Sequence, residues 1–276
     1  MLFNRKCEVI VNTEPALVFS DQKIAFDLLK SHDYSENLAK VEIHNLNRAT
    51  RKIIAEEAKH ITLKAGYDTL IEIGNGDITN IQNNRDTTEV VTEIAIASGL
   101  DTVQAQVITI SLSEKKSVKL RDVIAHLEQN YSLAFNVASI DDSISLIGGY
   151  VDFGSLTQVM NNLSLQFKTK WSMQNQTISV VGDNHKNSYV VASFTTDSGL
   201  ILHPDTLQNV SREVTTMNMF PVRTALFLMQ PQLQVHDVIS ISSEELDGKF
   251  RIQKLAHKGD TRGKEWYTAV ELEELN

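Results

Sequence analysis

The stretch LIEIGNGDITNIQ, Leu70 to Gln82, decides what kind of chain this is. Gly74 and Gly76 directly follow an apolar, strand-like run, as they would at the start of a phosphate-binding turn. Such a turn needs a third glycine three residues on and a helix whose N–H groups face the phosphate. Position 79 is threonine, the residues that follow are β-branched or asparagine, and a Gly-Lys-Ser/Thr loop occurs nowhere. Asn75-Gly76 between apolar runs instead predicts a tight hairpin turn, since both residues tolerate positive φ. The reading is a β scaffold and not a nucleotide site.

Outward from this point, alternation with period two dominates residues 8–112. Ile24, Phe26 and Leu28 share one parity, as do Val41 and Ile43, then Ile61, Leu63, Ala65 and Tyr67, then Val90, Thr92, Ile94 and Ile96. These are half-buried strands. Parity changes between Val107 and Ile108, which predicts a bulge or a corner between sheets. One helix interrupts the series, with Asn47 as its N-cap and Ile53, Ile54 and Ala58 at helical spacing, placed to plug one end of a barrel-like sheet.

Near Ser113 the period becomes helical. Ser117 is the expected N-cap of a helix carrying Leu120, Val123, Ile124, Leu127 and Tyr131 on one face. A second helix carries Leu156, Val159, Met160 and Leu163, and two strands then meet in a hairpin at Asn175. After the polar joint Gly182–Ser188, alternation returns in YVVASF, RTALFLM, DVISIS and FRIQKLAH. The fold class expected is α+β, mainly β. Two tube-like β-barrel or sandwich domains, residues 1–113 and 185–276, flank a small α/β module, residues 114–184.

Composition excludes several functions. The chain has 276 residues, a net charge of -9 and one cysteine, Cys7, so no internal disulfide can form. Its basic clusters, Ser113–Arg121 and Ala256–Lys264, are short and interrupted by acids, and read as solvated faces rather than a nucleic-acid site. No run approaches the ~20 apolar residues of a membrane span. The opening lacks a secretory apolar core, which predicts a soluble protein made in the cytoplasm without an export signal.

Chemistry is equally sparse. No two of the eight histidines are three to five residues apart, and none lies in a zinc-ligand pattern. There is no Gly-x-Ser-x-Gly elbow. Glu56–Glu57, Asp141–Asp142 and Glu244–Glu245 read as solvated pairs. In Ile147–Ser155, Gly154 opens a helix, but no Lys or Arg lies between Ile140 and Gln166 to neutralise an anion. The expectation is no enzyme: no catalytic, cofactor-binding or metal residues, and no cofactor.

Two sets of residues carry a resemblance. Val41, Ile43, Asn45 and Leu46, then Leu63, Ala65, Gly66 and Tyr67, then Gly76, Asp77 and Ile78 resemble the first β domain of bacteriophage baseplate or tail-tip hub proteins. Pro231, Leu246, Gly248, Phe250, Arg251, His257, Gly259, Asp260 and Trp266 are similar to the second β domain of that family. One departure stands out: His236-Asp237 replaces the family's usual Gly-Asp turn. The stretch between resembles helix–strand modules of hubs and of secretin-type rings.

The resemblance implies a structural virion protein of the viral tail. It would be a homotrimer whose tube-like domains form a pseudo-six-fold ring, joining the tail tube to the central spike or tip. DNA would pass through it during ejection. The implied partners are further copies of the chain, the tail tube protein, spike and other baseplate proteins and the tape measure protein, with no specific nucleic-acid binding and no membrane span. The competing reading is a secretin-like or secretion-system ring or interaction module.

Overall fold

A computed structural model describes residues 4–32, 38–86, 89–97, 107–131, 133–174, 177–183, 190–201, 223–244 and 246–275. The chain is mainly β. Met1–Ser98 and Val190–Asn276 form one compact unit, and Gly99–Tyr189 forms a second.

The first unit begins with β1 (Lys6–Val11), β2 (Leu17–Phe19), β3 (Ile24–Ser31), β4 (Leu38–His44), helix α1 (Arg48–Glu57), β5 (His60–Gly66), β6 (Leu70–Asp86) and β7 (Glu89–Ala97). The second holds β8 (Val107–Ser111), β9 (Ser117–Lys119), α2 (Leu120–Tyr131), β10 (Ala134–Ala138), β11 (Ser145–Ile147), β12 (Val151–Ser155), α3 (Leu156–Phe167), β13 (Thr169–Gln174) and β14 (Thr177–Gly182). The chain then returns to the first unit with β15 (Val190–Thr195), β16 (Arg223–Leu228), β17 (Val238–Ser242), β18 (Asp247–Asp260) and β19 (Trp266–Glu274).

In the first unit one 12-stranded sheet runs β2–β1–β5–β6–β7–β4–β3–β18–β17–β15, and β19 pairs with both β18 and β16. The alternation expected from sequence is realised: Ile24, Phe26, Leu28, Val41, Ile43, Ile61, Leu63, Ile94 and Ile96 are all buried in one core. Asn47 caps α1, its side chain accepting from Thr50 N at 2.8 Å. Ile54 is fully buried in that core while Ile53 lies on the outward side. Burying one such side chain stabilises by roughly 1.5–3 kcal/mol, enough to hold a ten-residue helix that would not persist alone.

A second hydrophobic cluster gathers Phe194, Phe227, Ile239, Phe250, Leu255 and Val270. Around it β16–β19–β18–β17–β15 follow one another, and an isolated bridge from Leu200 to Phe227 leads back to β16. β18 is the joint. Its first residues, Asp247–Arg251, pair with β17, and Lys254–Asp260 pair with β3, while the opposite edge runs along β19. The carboxyl segment also enters the first core, since Met229 and Trp266 are buried there, with Trp266 edge-on to Phe26 at 5.6 Å.

Among its described residues the second unit contains three small sheets and two helices. β13 and β14 form the expected antiparallel pair, with Gln174 opposite Thr177; Asn175 lies outside the described residues. Leu156, Val159, Met160 and Leu163 are buried as their spacing predicts, joined by Phe167. Ser117 is not the cap of α2. It is a strand residue of β9 paired with Ile147, and the Asp122 carboxylate accepts from Lys119 N at 2.8 Å in its place. β8 pairs with β12 in this unit in unbroken register from Val107 to Ser111, so the bulge expected between Val107 and Ile108 is absent from this pairing; Val107 is simply an outward residue and Ile108 an inward one.

Candidate functional site

Gly74-x-Gly76 is neither a phosphate loop nor a hairpin turn. Both glycines lie inside the 17-residue strand β6, and neither takes a positive φ. β6 pairs with β5 up to Asp77 and with β7 from Asp77 onward, and register shifts flank the crossover beside Leu63/Lys64 and Ile78/Asn80. The expected turn is a corner, where one strand changes partner. Glycine is needed there for room. A Cβ on Gly74 would strike the Leu28 side chain, and one on Gly76 would strike the Ala97 carbonyl.

The other glycine-rich stretch is closed to anions by its own chain. Ser155 caps α3, with Gln158 N donating to Ser155 Oγ at 3.3 Å and Ser155 N donating to Gln158 Oε1 at 3.0 Å. These are the donors an anion would have used.

Several of the histidines and acidic pairs singled out in the sequence each have a partner of their own. His44 Nδ1 lies 3.0 Å from Glu89, His60 Nδ1 lies 3.1 Å from Asp77, and His32 Nδ1 lies 3.3 Å from the Gln253 carbonyl. Asp141 accepts from Ser143, Asp142 from Arg121, and Glu56 pairs loosely with Lys52. His185, His203 and Glu245 lie outside the described residues. Among the described residues no group of three or more His, Cys, Asp or Glu side chains could hold a metal ion. No helix of the described residues is long and apolar enough to cross a membrane.

One buried polar group, which the sequence offered only as a motif position, calls for a physical account. His257 is fully buried, with Nδ1 2.9 Å from Thr268 Oγ1, which also accepts from Gln230 N at 2.8 Å. Burial, together with the charge of Lys30, pushes the His257 imidazole down to about 3. Burial likewise lowers Lys30 to about 8, against the pull of Glu72. His257 is therefore neutral near pH 7 and serves as a fixed hydrogen-bonding group. Its signal was available: on β18 it shares parity with the buried Leu255.

Other motif positions prove to be backbone positions. Asn45 takes φ 59°, and its side chain accepts from Val90 N at 3.2 Å. A Cβ on Gly259 would meet the Phe26 ring. Asp260 accepts from Arg262 N and Gly263 N, each at 2.8 Å, and so closes the β18–β19 turn. The motifs encode corners, caps and close approaches.

No protein-family model and no curated protein matches the chain. Solved structures do. A tail protein from Neisseria meningitidis aligns with a TM-score of 0.64 at 10% identity, covering 99% of this chain and 97% of that one. A 43 kDa tail protein of prophage MuSo2 from Shewanella oneidensis aligns at 0.61 and 8% identity, covering 97% and 98%. A component of the type VI secretion system of E. coli aligns at 0.53 and 8% identity, covering 92% and 74%. The chain thus has the fold of bacteriophage tail proteins, the kind of protein to which its motifs pointed.

Proposed function

We propose that this chain is a non-enzymatic structural protein of a phage tail, the hub of a baseplate or tail tip. Three copies form a ring that joins the tail tube to the spike or tip, with residues 1–113 and 185–276 as its tube-like domains and residues 114–184 as the module between them. The observation that carries this reading is the end-to-end likeness to the Neisseria tail protein, which leaves almost no part of either chain unmatched. The net charge of -9 suits a channel through which DNA phosphates pass without being held.

Mass measurement of the purified chain, alone and with its tail tube protein, tests the reading. A three-subunit species that joins the tube is expected; a monomer that never joins tail particles overturns it. The likeness to the E. coli secretion component favours a second reading, a ring of a secretion machine. Incorporation into phage particles separates the two.

A further inference from the structure

We draw no further inference here: the strongest candidate, the exposed apolar face of the β8–β12 ribbon made by Val107, Val151 and Phe153, carries nothing because nothing in the structure shows what covers it.

Discussion

His236 holds φ 74°, a backbone region that favours glycine, at the position where the resemblance expects one. The turn is kept by its neighbours. His236 N donates to Ile252 O and Ile252 N donates to Asp237 O, both at 2.9 Å, while Gln234 N donates to the Asp237 carboxylate at 2.8 Å. Burial pushes Asp237 up to about 6, with the Gln234 N–H pulling in the opposite direction. A carboxyl whose pKa is raised on folding binds its proton more tightly in the folded state. Its contribution is therefore most favourable below the unfolded pKa of about 4, and is lost as pH rises to about 6. Asp237→Asn keeps an oxygen for Gln234 N and removes the charge. It should stabilise the protein at pH 7 by about 1–3 kcal/mol relative to the parent, a gain that grows as pH rises from about 4 to about 6 because the variant lacks the parent's fall over that range. Urea denaturation of both proteins across pH 4–8 checks this; a variant no more stable than the parent at pH 7 would show that the carboxylate is solvated.

At the scale of elements, β6 is the informative strand. It passes from β5 to β7 at Asp77, and Gly76 is the point where its backbone comes against the Ala97 carbonyl. Gly76→Ala should cost about 3 kcal/mol, because the atom in the way is backbone and cannot rotate aside. Gly148→Ala, with nothing within 4 Å of its added Cβ but φ 91°, should cost about 1 kcal/mol. Equal losses at the two sites in thermal melts would mean that the corner has room to relax. This strand also marks where sequence reasoning stops. Alternation placed β3, β4, β5 and β7, and the Asn47 cap and the apolar face of α3 placed their helices, because burial there follows a local period. Asn75-Gly76 misled because a hairpin signal reports what two residues tolerate, whereas their role is set by pairing with β5 and by the close approach of Ala97 at the end of β7. The same limit hid the His257–Thr268 pair, whose partner no local pattern specifies. The Asp122 contact to Lys119 N at the start of α2 is local by contrast, and there the expected helix start, at Ser117, falls too early.

For the whole molecule, charge and apolar surface act in opposite directions on association. Copies with a net charge of -9 repel one another at distances set by the Debye length, about 30 Å at 0.01 M salt and about 8 Å at 0.15 M. Apolar side chains such as Val151 and Phe153 stay exposed in the second unit, and salt screens the repulsion between copies without weakening apolar contact. Raising salt from about 20 to 200 mM should therefore strengthen self-association roughly several-fold in the apparent constant. A DNA-binding surface would respond in the opposite sense, because counterion release makes such binding weaken steeply with salt. Sedimentation velocity over that range, with and without duplex DNA, reads both effects at once. Self-association that falls with salt would mean that ion pairs between copies hold the assembly. DNA retention at low salt would mean that the acidic balance conceals a basic lining, and the channel reading would then have to be abandoned.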